Sequence, residues 1–374
     1  MISKVASIAA CALIMPVAAT AHERAVEFPD TADGRLVLAA DLHTHSVFSD
    51  GEVWPSIRVK EAHKDGLEVL AVTEHLEHQP HQADLPHPDR NRSFEVAEKT
   101  RSDSGFDLMV INGAEVTRDQ PYGHINAIFL KDANALLTDT PRQAMEAAKV
   151  QGAFVFLNHP NWLPHAADGI ARLTDYHKTL IADGLLQGIE VVNGTLDGHS
   201  EHALQIALDH DLTVMGTSDI HGLVDWTHGA GSGGHRPMTL VLAGDRTVDA
   251  FKAALFDGAT VAWSNDDLLG REEHVSAVVS ACLSLEAAPA ERDYTVVNMI
   301  VRNVCPVNFS LMNRSEETFQ NTGDLVRVSR ESHAPLAVRT KTGQGQVSLT
   351  FEVLNAQIGY RENLRLTLEA VIPE

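Results

Sequence analysis

Positive charge is scarce in this chain: 29 Lys and Arg stand against 51 Asp and Glu, a formal net charge of −22. A field of that sign repels polyanionic polymers, so nucleic acid is not an expected partner, while a local cationic site can still draw in small anions. Cysteine is scarcer, with 3 in 374 residues. Cys11 falls in an N-terminal apolar segment, which leaves Cys282 and Cys305. Two cysteines permit one disulfide in an oxidising compartment and rule out a disulfide scaffold. Long apolar runs are also missing. No stretch past the N-terminus reaches the roughly 18 apolar residues that a membrane span needs. Sequence repeats are absent too.

The N-terminus is of another kind. Lys4 precedes the apolar stretch VASIAACALIMPVAA, and Ala19 and Ala21 then form an A-x-A cleavage site before His22. Residues 1–21 read as a cleavable secretory signal, too short and wrongly flanked for a membrane anchor; Cys11 lies inside its apolar core. The mature protein is expected to be secreted or periplasmic.

Histidine, by contrast, is plentiful, with 20 residues whose positions matter more than their number. From about Leu36 to Trp263 short apolar runs alternate with helical patterns. The runs LVLAADLHTH, LEVLAVTEH, LMVINGAEVT, HINAIFL, AFVFLNHP, GIEVVNG, LTVMGTSDIHG and MTLVLAG lack clean alternation, as strands buried on both faces do. Among the helices between them, TPRQAMEAAKVQG has Thr140 as N-cap, Pro141 in the first turn, Gln143 to complete a capping box and Gly152 at its end. This alternation predicts a parallel α/β sheet closed into a barrel over residues 22–270. A connecting helix and linker are expected over 271–292. Residues 293–374 carry short alternating runs between polar turns, the pattern of a small antiparallel β-sandwich.

In a parallel barrel the C-terminal rim is where sites are built. The first strand ends in His43 and His45, with Asp50 just beyond; the second ends in His75 and the third in Glu115. The fourth begins at His124, the fifth ends in His159, and the seventh ends in Asp219 and His221. Residues i and i+2 of a strand share a face, so His43 with His45, and Asp219 with His221, point to one centre. An H-x-H or D-x-H pair alone is weak. Six imidazoles and three carboxylates converging without counter-ions would cost many kcal/mol in desolvation and repulsion, a cost that metal ions remove. Imidazole with carboxylate suits Zn, Mn or Fe. His78, His81 and His87 lie in a Pro-rich polar insertion after the second strand, where a solvated loop or pocket wall is the expected role.

The motifs DLHTHSVFSDG, TEH, GAEVT, GHINAIF, LNHP and TSDIHG resemble those of the polymerase-and-histidinol-phosphatase (PHP) superfamily of metal-dependent phosphoesterases. The resemblance implies a distorted (β/α)7 TIM-like barrel, followed here by the β-sandwich. It implies a three-metal site: His43, His45, Glu115 and Asp219 on one ion, Glu115 bridging to a second with His124 and His159, and Asp50, His75 and His221 on a third. Phosphatase relatives often carry His where this chain has Asp50, which alters the charge of the third position. Signal, barrel and tail resemble an exported branch that includes phosphodiesterases of small alkyl and haloalkyl phosphate diesters. The expected activity is therefore hydrolysis of a small phosphate diester by a metal-bridging hydroxide. A monoesterase of the same site, a carboxylester or carbamate hydrolase, and a metal- or phosphate-binding protein are the alternatives. Arg118 and Arg236 are the candidates for stabilising transition-state charge.

Overall fold

The computed structural model describes residues 26–86, 89–196, 198–230, 233–289, 295–341 and 345–373; the expected signal over 1–21 lies outside them. Among them no helix is long and apolar enough to cross a membrane.

The first half alternates as the periodicity predicts. Strand β1 (Leu36–Asp41) leads to α1 (Pro55–Asp65), β2 (Val69–Val72), α2 (Arg92–Ser104) and β3 (Met109–Thr117). Then come β4 (His124–Ile128), α3 (Pro141–Val150), β5 (Phe154–Leu157), α4 (Asp175–Ala182) and β6 (Gly188–Asn193). The barrel is completed by α5 (Glu201–Asp209), β7 (Thr213–Thr217), the short α6 (Val224–Thr227), β8 (Met238–Ala243), α7 (Val248–Phe256) and β9 (Thr260–Ser264). The capping box at Thr140 and Gln143 is formed.

The sheet is mixed rather than wholly parallel. Its order runs β9-β8-β1-β2-β3-β4-β5-β6-β7. β1, β2 and β3 pair in parallel, as do β5, β6 and β7, but β4 is antiparallel to both of its neighbours and β8 is antiparallel to β1. The cause for β4 is in the chain: six residues, 118–123, join β3 to it, too few for a parallel crossover, which takes about a dozen. Reversal carries His124, at the start of β4, to the rim where β3 and β5 end.

The barrel closes through side chains. Thr239 Oγ1 accepts from Gly216 N at 3.0 Å and donates to Gly216 O at 2.7 Å, and Thr260 Oγ1 donates to Val214 O at 2.7 Å. This seam needs a glycine, because a Cβ at 216 would fall 2.6 Å from Met238 O. Above the seam the tips of β1 and β7 do bond, His45 N to Ile220 O at 3.1 Å and Asp219 N to His43 O at 2.9 Å.

Past the barrel, β10 (Asp267–Gly270) pairs with β9, and α8 (Glu272–Cys282) runs directly into β11 (Leu283–Ala287). β11 lies in the segment expected to be a linker, yet it is a full strand on β12 (Val296–Asn303), so the sandwich starts before residue 293. The remaining strands are β13 (Phe309–Asn313), β14 (Thr318–Phe319), β15 (Leu325–Val328), β16 (Ser332–Arg339), β17 (Gln346–Gly359) and β18 (Glu362–Val371). One sheet is β11-β12-β16-β14; the other is β15-β13-β17-β18. β17 also pairs in parallel with β10, Leu268 opposite Ala356, so the second sheet continues into the barrel sheet. Cys282 and Cys305 form a disulfide that ties the end of α8 to the turn after β12.

Candidate metal centre

All nine side chains expected to hold metal are gathered at the rim. His43, His45 and Glu115 are wholly or almost wholly buried, and Asp219 nearly so. His43 Nε2 lies 3.0 Å from His45 Nε2, 3.2 Å from Asp219 Oδ1 and 3.4 Å from Glu115 Oε2. His45 Nε2 lies 3.1 Å from Asp219 Oδ1 and 3.3 Å from Glu115 Oε2. Ligands about 2.0–2.2 Å from a tetrahedral ion sit about 3.3–3.6 Å apart, so His43, His45 and Glu115 suit one divalent cation, with Asp219 Oδ1 against both imidazoles.

The second oxygen of Glu115 faces the other way. Oε1 is 2.8 Å from His124 Nδ1 and 3.8 Å from His159 Nε2. His124 Nδ1 is buried yet makes no hydrogen bond, an orphaned donor atom that an ion would satisfy. Asp50 then lies between His75 Nε2 at 3.4 Å and His221 Nε2 at 3.3 Å. His45, Asp50, His75 and His221 each offer an atom within 4.8 Å of the others, as do His43, His45 and Glu115, and again His75, Glu115 and His124. The site as a whole fits divalent metal.

Electrostatics agree with that reading. Burial pulls the pKa of His43 down, but Asp219, Glu190 and Glu115 outweigh it and leave it well above the ordinary value. Burial also lowers His45, here helped by the charges of His75 and His221, to about 3. Asp219 and Glu115 lie far below the carboxylate range despite burial, because imidazoles surround them. Protons and metal ions therefore compete for one donor set.

Two of these residues have left-handed backbones, His159 at φ 26° and Asp219 at φ 49°. Such conformations cost on the order of 1–3 kcal/mol outside glycine and persist where surroundings fix them. Here His159 N donates to Glu190 Oε2 at 2.6 Å and Asp219 N to His43 O at 2.9 Å.

Glu190 was not expected from the sequence. Its Oε1 is 2.7 Å from His43 Nδ1 and accepts from Thr217 Oγ1 at 2.6 Å, while Oε2 also accepts from Asn193 Nδ2 at 2.9 Å. Glu74, inside the TEH motif, holds the turn before Asp50 through Ser46 N at 3.0 Å and Ser49 Oγ at 2.5 Å. Asn158 Nδ2 donates to Glu115 Oε1 at 3.0 Å. Arg58 on α1 is buried and donates to the carbonyls of His45, Ile220, His221 and Gly222, clamping the exits of β1 and β7 together. The signal for Glu190 was a lone carboxylate inside the apolar run GIEVVNG.

The two arginines part company. Arg118 stands on the rim, 29% exposed, with Nη2 2.8 Å from Glu77 Oε1, and Glu77 Oε2 accepts from Thr117 N at 2.8 Å. Arg236 does not line the site. It is fully buried, with Nη1 3.1 Å from Asp41 Oδ2 and Nη2 2.9 Å from Asp65 Oδ2, so its guanidinium is committed to the packing behind β1. Asp41 in turn accepts from Ser218 N at 3.1 Å. Of the insertion histidines, His78 Nε2 comes within 3.9 Å of Asp50, His81 joins no metal-capable cluster among the described residues, and His87 lies outside them.

A barrel whose rim gathers imidazoles and carboxylates in this way defines a metal-dependent hydrolase. A two-domain protein from Bacteroides vulgatus containing a predicted PHP-like metal-dependent phosphoesterase is 34% identical in sequence, with a TM-score of 0.85 over 92% of this chain and 98% of that one. The chain belongs to that family, the PHP-like metal-dependent phosphoesterases. An Ig-like domain family matches residues 283–369, which includes β11. Two further structures are remote: an amidohydrolase from Chromobacterium violaceum (19% identity, TM-score 0.34, 49% of this chain and 87% of that one) and a lesion-specific endonuclease from Pyrococcus furiosus (17%, 0.36, 59% and 56%). No curated protein sequence matches.

Proposed function

We propose that this chain is an exported phosphodiesterase that hydrolyses small organic phosphate diesters at a three-metal site. His43, His45, Glu115 and Asp219 would hold the first ion, Glu115 with His124 and His159 the second, and Asp50, His75 and His221 the third. Such ions supply Lewis acidity, lowering the pKa of water and neutralising charge on a phosphoryl oxygen.

The observation that carries the reading is the balance of charge in the donor set. Three divalent ions against Asp50, Glu115 and Asp219 leave an excess of positive charge, even when Glu190 behind His43 is counted. That excess suits an anionic phosphoryl group. Arg118 would hold a phosphoryl oxygen through its remaining N–H groups, and its ion pair with Glu77 supports that reading by fixing the side chain's direction. The Cys282–Cys305 disulfide supports export, because such bonds persist in oxidising compartments.

The test is turnover of bis(p-nitrophenyl) phosphate beside p-nitrophenyl phosphate and p-nitrophenyl acetate, with metal counted by elemental analysis. Diester cleavage with about three ions per chain is the expected result. Faster monoester cleavage would move the substrate class. Cleavage of the acetate alone would replace the phosphoesterase reading by a carboxylester hydrolase.

A further inference from the structure

Phe48, two residues before Asp50 in the chain, opens onto a cavity of about 440 Å³ whose walls are largely apolar: Phe48, Trp54, Leu85, Pro86 and Val96. Both walls grow from segments that carry metal-site residues. The turn from Ser46 to Val53, closed by Val47 N to Val53 O at 2.9 Å, holds Asp50 at the metal site and Phe48 in the cavity. The opposite wall belongs to the insertion that starts at His75, and His78 of that insertion approaches Asp50. Phe48 packs edge-on against Trp54, ring centroids 5.6 Å apart.

Three charged residues, Asp84, Asp89 and Arg92, complete the lining. Arg92 is 2.8 Å from Glu95, and Asp89 accepts from Asn91 and Asn134. Two of the three are carboxylates, which disfavours a second anionic group, and most of the remaining wall is hydrocarbon and aromatic surface. Trp54 remains 47% exposed, and Leu163 in the loop after β5 and Trp226 in the short α6 after β7 are 63% and 83% exposed. Large apolar groups left in water around a polar site mark a surface that a ligand covers.

We propose that this cavity is a specificity subsite for a neutral, apolar substituent of the phosphate ester, an aryl or branched alkyl group. The proposal rests on the phosphoesterase reading and narrows its substrate class. With the phosphoryl group at the metal centre, the substituent on the Asp50 side enters the cavity and is desolvated against Phe48, Trp54, Leu85, Pro86 and Val96.

Calorimetric binding of methylphosphonate and phenylphosphonate to the metal-loaded enzyme tests this, run beside turnover of bis(p-nitrophenyl) phosphate. Neither probe is cleaved, so binding is read separately from catalysis. Phenylphosphonate is expected to bind at least about tenfold more tightly than methylphosphonate. Trp54→Ala and Val96→Trp, the first opening the cavity and the second filling it, should each bring that ratio close to unity and leave methylphosphonate affinity unchanged. Trp54 makes no side-chain cap to α1, so its truncation spares the helix start. Diester turnover with equal affinities in the wild type, or a ratio that neither variant alters, would overturn the subsite. Preference for phenylphosphonate without turnover of any phosphate ester would keep the subsite and overturn the phosphodiesterase reading instead.

Discussion

Glu190 Oε1 lies 2.7 Å from His43 Nδ1, and the other oxygen of the same carboxylate receives the backbone N–H of His159 at 2.6 Å. One buried side chain thus fixes the ring of one candidate ligand and the left-handed backbone of another. Carboxylates behind metal-binding histidines set the tautomer and raise ligand basicity, and their loss costs about 10–100-fold in metal affinity. Glu190→Gln retains the volume but turns an amide N–H₂ toward groups that now donate. The expected result is metal affinity lower by that factor, read by competition with a chromophoric chelator, with the folded circular dichroism spectrum retained. Unchanged affinity would reduce Glu190 to packing.

Arg118 and Arg236 separate under mutation. Arg118→Ala is expected to lower diester turnover by about 10²–10³-fold with metal content unchanged, since it removes a positioned cation and touches no candidate ligand. Unaltered kinetics would leave it the role of holding Glu77.

Arg236→Met, by contrast, strands Asp41 and Asp65 in the interior. Breaking a buried pair costs about 3–5 kcal/mol, because the orphaned charge remains. The expected signature is a lower urea midpoint, partly recovered when Asp65→Asn is added. A normal midpoint with lost turnover would return Arg236 to the catalytic list.

The difference between these arginines shows where sequence reading stops. The nine candidate positions could be picked out because most stand at the end of an apolar run, where period-two geometry turns such residues to a common face, and the fold gathers them at one rim. Strand direction was legible only through loop length, and the six residues before His124 were the clue that β4 runs backwards. Arg236 was misread because GGHRPMTLV marks a strand start without saying which face the arginine takes. Glu190 was missed for the opposite reason: a carboxylate in a six-residue apolar strand has no neighbour in sequence that names its partner, and Thr217, Asn193 and His43 meet it only in the fold. The boundary at β11 failed because LSLEA continues the α8 apolar pattern without a turn signal.

Metal loading should release protons. Burial, the largest influence on His75, opposes its charging, yet Glu115 and Asp50 outweigh it and lift its pKa to about 10. At neutral pH the imidazole then carries a proton unless an ion replaces it, and a metal ion takes only the neutral ring. Affinity therefore rises with pH up to about 10, roughly tenfold per unit for each proton displaced. His45, lowered to about 3, is already neutral and adds nothing to this count. Titration calorimetry in two buffers of different ionisation enthalpy reads the protons directly. Heats that do not depend on the buffer would contradict the assignment.

At the far end of the barrel, Glu68 supplies a pH dependence of a different kind. Its Oε2 accepts from Ala39 N at 2.7 Å and its Oε1 is 3.3 Å from Arg246. Burial raises its pKa from 4.5 to about 7, against the opposing pulls of Ala39 N–H and Arg246. Between those values the folded chain holds a proton that the unfolded chain has lost. Stability from this residue is thus full below about 4.5, falls as pH rises through the window and is level above about 7. At 1.36 kcal/mol per unit the loss is roughly 3 kcal/mol at most. Glu68→Gln keeps an acceptor for Ala39 N and removes the titration. Its stability relative to the wild type should grow from near zero at pH 4.5 to a gain of up to about 3 kcal/mol at pH 8, less what the Arg246 pair contributes. Urea denaturation across that range measures it, and a difference independent of pH would mean that Glu68 stays charged in the fold.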